Sequence, residues 1–344
     1  MNITFLIGNG FDINLGLNTK YSDFYPYFIE KSTETNMIRA WLEEDELLWA
    51  DLEAQLGEKL ENVKENEKEN FYQDKAELDR LLLEYLEQEQ GRISIQNKEQ
   101  EVADVFAKSL NEYDKELREV EQKSIQSTYN TYSKDVFMYC FICFNYTNTL
   151  DQIVDITRKL KSPIATHQFY GNNKNHFLGT VLHVHGTLNE EMILGVNDEE
   201  QVNNVSLRAD EEFLDIFIKR RMNDEIGQGK TERAQELMDE SHVICIFGMS
   251  LGGTDKMWWE KLIDWLIASK DNKLVIYYKG FEEQLDKRLP ANTIRLDRRL
   301  KQEVLEKGGA DMKNPDIDEI KKRIFISYNA NIFNFNEAGI VCPF

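Results

Sequence analysis

Cysteine is scarce in this chain, which has only four among its 344 residues: Cys140, Cys143, Cys245 and Cys342. Most of them lie inside apolar runs, where a free thiol behaves as a small hydrophobic side chain. A protein stapled by disulfides needs more cysteines than this. We therefore expect no disulfides and a location in the reducing cytoplasm.

Long apolar runs are also missing. No segment approaches the about 18 consecutive apolar residues that a membrane-spanning helix needs. Met1 leads almost directly into the apolar segment Ile3–Ile7, with no basic leader before it. The sequence therefore predicts neither a membrane span nor a signal peptide.

Positive charge is in short supply. The chain has 41 lysines and arginines against 62 aspartates and glutamates, a formal net charge of −21. A protein that binds duplex nucleic acid or an anionic membrane needs a basic face, so both partners, and with them a nuclease activity, are disfavoured. A small phosphorylated ligand remains open, because local backbone N–H groups and a few cations can hold it.

Metal-ligand patterns are absent as well. Cys140-x-x-Cys143 is half of a zinc site, but no second pair exists and the segment is apolar, so core packing is the better interpretation. His167 and His176 lack acidic partners at ligand spacing. We expect no bound metal.

A serine nucleophile is excluded by a similar absence. Gly248-x-Ser250-x-Gly252 matches the nucleophile-elbow pattern of esterases. The triad order of that class requires a histidine after the serine, and none follows His242.

Short apolar runs without polar alternation are present, and they are typical of strands buried on both faces. Strands are predicted at Ile3–Ile7, Val136–Phe144, Val243–Phe247 and Leu274–Tyr278, and two more at Val181–His185 and Ile324–Tyr328. Turns and helical patterns follow the first three, which predicts an α/β fold with a doubly wound, mostly parallel, Rossmann-like sheet. Ligands of such sheets bind outside the carboxyl ends of the strands.

A long helical region interrupts this pattern. Between Phe24 and Thr131, apolar residues recur at helical spacing and no strand is predicted. We therefore divide the chain into an α/β nucleotide-binding core at 1–24 and 131–344 and a helical insertion at 25–130.

The turn after the first predicted strand contains Gly8 and Gly10. Glycines there let the backbone approach a phosphate, and the next helix directs its N–H groups at the anion. The third glycine of a complete dinucleotide fingerprint is replaced by Ile13. A tight turn with Asp12 as the helix N-cap is an equally good interpretation of the motif alone.

Several motifs, in a fixed order along the chain, resemble the bacteriophage abortive-infection AbiH family. They are Gly8-Asn9-Gly10-Phe11-Asp12, Gly16–Phe24, Trp49-Ala50-Asp51-Leu52-Glu53, Phe144–Leu150, His185-Gly186-Thr187-Leu188, Leu194-Gly195 and Gly248–Asp255. That family is in turn similar to sirtuin-like NAD-binding proteins, which implies a sirtuin-like core and NAD as substrate or ligand. The four-cysteine zinc module of protein-deacetylating sirtuins has no counterpart here, which argues against lysine deacylation.

The resemblance also implies site residues. Asn145 and His185 are the implied catalytic pair: the carboxamide holds a ribose hydroxyl or a water, and the histidine draws off a proton. The implied NAD-binding residues are Gly8, Asn9, Gly10, Phe11, Asp12, Tyr146, Thr147, Gly186, Gly248, Ser250, Leu251 and Asp255.

Structural interpretations compete with these roles. Asn145 could cap the helix that begins near Thr147. His183 shares a strand face with His185, so the pattern does not decide which of the two reaches the pocket. Asp51 and Glu53 are interpreted as surface charges of a helix, with a ligand role as the alternative. The tryptophans Trp258, Trp259 and Trp265 are predicted to pack a helix on the sheet.

Two functions follow as expectations. The first is anti-phage abortive infection by hydrolysis of NAD at the nicotinamide–ribose bond. The second is a non-catalytic nucleotide-sensing module that signals to a partner. Either could involve a homo-oligomer, a defence-system partner protein and a phage-derived trigger.

Overall fold

A single sheet of seven strands organises the part of the chain that the structure describes. The structure is a computed structural model, and it describes residues 1–44, 51–227, 229–250, 256–279, 290–336 and 338–340. The strands are β1 (Asn2–Ile7), β2 (Phe137–Cys143), β3 (Ala165–Phe169), β4 (Asn172–His183), β5 (Val243–Phe247), β6 (Lys273–Tyr278) and β7 (Ile324–Tyr328). Their order across the sheet is β3-β4-β2-β1-β5-β6-β7.

Helices make up most of the remaining structure. They are α1 (Gly10–Asn14), α2 (Tyr21–Lys31), α3 (Met37–Glu44), α4 (Leu52–Lys59), α5 (Lys68–Gln90), α6 (Glu99–Asn111), α7 (Glu119–Thr131), α8 (Thr149–Leu160), α9 (Val205–Arg208), α10 (Glu211–Phe217), α11 (Lys219–Ile226), α12 (Lys230–Asp239), α13 (Lys256–Ala268), α14 (Pro290–Lys307) and α15 (Ile317–Lys321). The mixed α/β class predicted from the sequence is confirmed.

The predicted strands are present, with shifted ends. Five of the strand pairs are parallel, and the pair β3–β4 is antiparallel. The strand predicted at Val181–His185 is the end of the longer β4, which stops at His183. Strand β3 was not predicted, because its Ala-Thr-His-Gln-Phe sequence mixes polar residues into a half-exposed edge strand and forms no apolar run.

Each face of the sheet carries its own apolar layer, because successive side chains of a strand point to opposite faces. From β1, Phe5 and Ile7 pack on one face and Leu6 on the other. The first face is covered by α6, α7, α8 and the segment around Phe333. The second face is covered by α12, α13, α14 and α15. As predicted, Trp258, Trp259 and Trp265 of α13 are buried there.

A third apolar core lies apart from these two layers. It joins α2, α3, α4 and α5 to the segment from Leu188 to Ile218. The described residues of 25–130 are helical or in turns, but α6 and α7 pack on the sheet while α2–α5 belong to the third core. The division into a core and an insertion stays a prediction.

Candidate functional site

The carboxyl ends of β1, β2, β4 and β5 lie side by side, because these strands are neighbours in the sheet. Strand β1 pairs with β2 on one side and with β5 on the other, so the strand order reverses at β1. In open α/β sheets such a reversal point opens a crevice in which ligands bind. The predicted site residues follow these four strand ends.

The glycine turn after β1 packs directly on the turn after β5. The Gly8 N–H donates to the Phe247 carbonyl over 2.9 Å, and the Gly10 N–H donates to the Gly248 carbonyl over 2.8 Å. A Cβ on Gly10 would lie 2.5 Å from the Gly248 Cα, and Gly248 itself has a φ of 71°. The glycines therefore allow two backbones to touch. Since both N–H groups are bonded within the protein, a phosphate bound here would need other donors.

The neighbours Asn9 and Phe11 are held in the same turn. The Asn9 amide donates to the Thr19 carbonyl over 2.7 Å and accepts from the Thr19 hydroxyl over 2.5 Å. Asn9, and not Asp12, is the N-cap residue of α1. The Phe11 ring is fully buried against Phe247 and Phe333. Both side chains therefore stabilise the turn through contacts within the protein.

Asp12 connects the β1 turn to the β2 turn. Its carboxylate accepts a hydrogen bond from the Thr147 hydroxyl over 2.6 Å and one from the Thr149 hydroxyl over 2.5 Å. Burial raises the pKa of Asp12 to about 6, against the lowering effect of the two threonines, His183 and Asn145. Asp12 is 1% exposed, so its carboxyl does not reach solvent. It holds the β1 and β2 turns together.

Asn145 follows β2 and is 6% exposed. Its amide is near enough to Asp12 to help lower the pKa of that carboxyl. Yet among the residues that the structure describes, neither amide atom has a partner at full hydrogen-bond geometry. Asn148 occupies the N-cap position of the next helix, which begins at Thr149, so the capping role considered for Asn145 is wrong. A buried amide without partners costs about 1–3 kcal/mol, which a ligand could offset.

His183 is fixed by two acceptors. Its Nδ1 lies 2.8 Å from the Asn145 carbonyl oxygen and its Nε2 lies 2.7 Å from the Asp151 Oδ2. Both ring nitrogens must carry protons to bond these oxygens, so the ring is an imidazolium. Burial acts to lower the pKa of His183, but Cys143 and the Asp151 carboxylate raise it above the usual value. A cation held in this way orients the Asn145 backbone and is no proton acceptor.

His185 lies beyond the end of β4 and is 7% exposed. Its ring meets the Phe144 ring edge-on, with centroids 5.6 Å apart. The turn behind it needs Gly186, which has a φ of 76° and whose Cβ would fall 1.6 Å from the Glu191 carbonyl oxygen. His185 also lines a cleft of about 190 Å³, together with residues of α11, α12 and α13.

The structure therefore brings most of the predicted residues together. Direct contacts join Gly8, Gly10, Asp12, Thr147 and Gly248. Two hydrogen bonds tie Tyr146 to the turn after His185, one from its hydroxyl to the Ile193 carbonyl and one from the Leu188 N–H to its own carbonyl. Ser250 is exposed just after β5. Leu251 and Asp255 lie outside the described residues. The cleft beside His185 is not lined by Gly10, Asn145 or Ser250.

One buried ion pair beside the site was not predicted. The Lys219 ammonium lies 2.6 Å from the Glu53 carboxylate, and their side chains are 7% and 6% exposed. The interpretation of Glu53 as a surface charge is therefore wrong, whereas Asp51 caps α4 by accepting from the Ala54 N–H. The only sequence signal was the Trp49–Glu53 motif, because a partner so distant along the chain cannot be read from spacing.

Three of the four cysteines lie among the described residues. Cys140, Cys143 and Cys245 are free thiols, and Cys342 lies outside the described part. Within that part, no group of three histidine, cysteine, aspartate or glutamate side chains is arranged to hold a metal ion. None of its helices combines the length and the apolar character that crossing a membrane requires.

Comparison with protein families identifies the chain. The model of the family described as bacteriophage abortive infection AbiH matches residues 4–278. The chain belongs to the AbiH family. The match runs from β1 to β6 and so contains every predicted site residue, and it confirms the resemblance seen in the motifs. Membership indicates a function in phage abortive infection. No match to a curated protein was found.

Proposed function

We propose that this AbiH protein binds NAD at the carboxyl edge of β1, β2, β4 and β5 and hydrolyses its nicotinamide–ribose bond during phage infection. The sirtuin-like interpretation of its core is part of this proposal. The sheet order supports it. Without the antiparallel edge strand β3, the order is β4-β2-β1-β5-β6-β7. Numbered along the chain, this is the 3-2-1-4-5-6 order of dinucleotide-binding sheets.

The observation that carries the proposal is the Asn145 amide, which is buried at the reversal point of the sheet and has no partner at full hydrogen-bond geometry among the described residues. A sugar hydroxyl can donate to the amide oxygen and accept from the amide nitrogen at the same time. Such a hydroxyl is what NAD would present beside the bond to be broken. The rigid frame of Asp12, the two threonines and His183 holds the asparagine in place.

The reaction needs little from the protein beyond position and charge. The bond between ribose C1′ and the pyridinium nitrogen breaks, and its electron pair stays on nitrogen, so nicotinamide leaves as a neutral molecule. A water oxygen bonds to C1′, and the proton of that water passes to a base. His185 is the candidate base, because His183 already carries both ring protons.

The test measures NAD and nicotinamide in bacteria that carry the gene, before and after phage infection, so that the infection itself supplies the trigger. Asn145→Ala and His185→Asn are compared with Asn130→Ala, a surface replacement on α7, and with His167→Asn, a half-buried replacement on β3 outside the site. We expect NAD loss and protection with the wild type and both controls, and neither with the two site variants.

Two outcomes would overturn the enzymatic proposal. One is full protection with an unchanged NAD pool. The other is NAD loss that persists in both site variants. Calorimetric NAD binding by the purified protein together with the first outcome would favour the nucleotide sensor.

A further inference from the structure

The cleft beside His185 has features of its own. It lies between the turn after β4 and the helices α11, α12 and α13, and it has a volume of about 190 Å³. The residues that line it are Val184, His185, Asn197, Asp198, Lys219, Arg220, Asn223, Thr231, Lys256, Met257, Trp258 and Glu260. Residues from five separate segments thus meet at one cavity.

Asn223 is the feature that points to a ligand. This residue is 5% exposed, and its Oδ1 has no hydrogen-bond partner among the described residues. Its Nδ2 donates to the carbonyls of Lys219 and Val184 over 3.2 and 3.4 Å, which are long hydrogen bonds. Asn223 itself lines the cleft, and the last side-chain torsion of asparagine is broad. A ligand hydroxyl would then satisfy the oxygen.

The charges around the cleft differ from those of the whole chain. Its lining has three cations and two carboxylates, in a protein of net charge −21. Asp198 is occupied by the N–H groups of Glu200 and Gln201, and Glu260 faces Lys256 at 3.8 Å. Arg220 is exposed and forms no ion pair with any residue in the described ranges. Lys219 is paired with Glu53, so Arg220 is the cation of this lining that remains for an anion.

We propose that this cleft binds a phosphorylated sugar, with Asn223 accepting a hydrogen bond from a sugar hydroxyl and Arg220 and Lys256 facing the phosphate. Under the proposed function, which this inference deepens, the ligand is one ribose phosphate of the nucleotide whose other part lies at Asn145. His185 lines the cleft and follows β4, which neighbours β2, so it links the two regions. Asn223 is then a positioning residue for the substrate.

The test is ligand-observed NMR of the full-length protein with ribose 5-phosphate, ribose and inorganic phosphate, followed by AMP and nicotinamide mononucleotide. We expect ribose 5-phosphate to bind. Asn223→Leu should weaken it about fivefold, the effect of losing one hydrogen bond of about 1 kcal/mol. Arg220→Gln should weaken ribose 5-phosphate and phosphate but leave ribose unchanged. The matched variant Arg298→Gln, on the exposed face of α14, should change nothing.

Two outcomes of this experiment would contradict the inference. The inference is overturned if ribose 5-phosphate does not bind, or if it binds equally to the wild type, Asn223→Leu and Arg220→Gln. Should Asn223→Leu fail to fold, the exposed Arg220 variant carries the test alone. AMP and nicotinamide mononucleotide distinguish which ribose phosphate of NAD fits.

Failure of this inference differs from failure of the proposed function. If ribose 5-phosphate binding depends on Asn223 and Arg220 while NAD is never cleaved, the inference about the cleft is supported and the proposed activity is contradicted. If NAD cleavage depends on Asn145 and His185 while the KM for NAD is unchanged by Asn223→Leu, the proposed activity is supported and the inference about the cleft is contradicted.

Discussion

Replacing Asp12 by asparagine removes a buried charge and leaves the shape of the side chain unchanged. The asparagine oxygen can accept from one threonine hydroxyl, and its NH₂ group can donate to the other after that hydroxyl turns. The connection between the β1 and β2 turns is therefore kept. What changes is the free-energy cost of burying a charged carboxylate away from water.

That cost follows from the pKa of Asp12, which burial raises from 3.8 to about 6. The folded protein holds this proton more tightly than the unfolded chain, so stability is greatest at low pH and falls as pH rises through this window. That rise in the pKa corresponds to about 3 kcal/mol, because each pKa unit is worth 1.36 kcal/mol. About half of that loss falls between about pH 5 and about pH 8.

The assay is urea unfolding of the wild type and Asp12→Asn at about pH 5 and about pH 8. Between these two conditions, the stability of the variant should rise by about 1–2 kcal/mol relative to that of the wild type. Asp155→Asn, an exposed replacement on α8, serves as the matched control and should show no such trend. A difference between Asp12→Asn and the wild type that is the same at both pH values would refute the argument.

Other predictions rest on single contacts. Gly248→Ala should destabilise the fold by more than about 2 kcal/mol in urea unfolding, because its φ of 71° is strained for alanine and the new Cβ would lie 2.7 Å from the Gly10 Cα. Gly309→Ala is the control, since its φ is 68° but nothing lies within 4 Å of its Cβ; an equal effect of both changes would show that the loop contact is unimportant. Glu53→Gln should cost about 3–5 kcal/mol, because it leaves the Lys219 ammonium buried without its carboxylate. The surface change Glu319→Gln should have no measurable effect on the unfolding midpoint, and a Glu53→Gln midpoint like that of the wild type would contradict the burial of the pair.

The central strands were predictable because both of their faces are buried. A strand such as β5 consists of apolar residues alone, which is the pattern typical of a short strand buried on both faces. Strand β3 sits at the edge, where half-exposed polar positions are tolerated, so its sequence resembles that of a loop. Burial of both strand faces therefore explains why β5 was predicted, and exposure at the sheet edge explains why β3 was not.

The sequence predicts candidate residues at the strand ends but does not predict the contacts that each of them makes. Glycine at position 10 suits a phosphate-binding turn and a close backbone contact equally well, and only the position of Gly248 shows that the contact is made. His183 and His185 look alike in sequence. Asp151, 32 residues from His183, fixes the first of them as a cation, and Lys219, 166 residues from Glu53, buries that carboxylate. Partners so far apart follow from the fold, which periodicity alone does not specify.

The position of β1 also matters while the protein is being synthesised. It is the first strand made, yet its neighbours β2 and β5 come from residues 137–143 and 243–247. At about 5–20 residues per second, a ribosome takes on the order of tens of seconds to reach β5. The Gly10–Gly248 contact cannot form before then. A nascent or prematurely terminated chain that ends before β5 thus lacks this contact between the two turns.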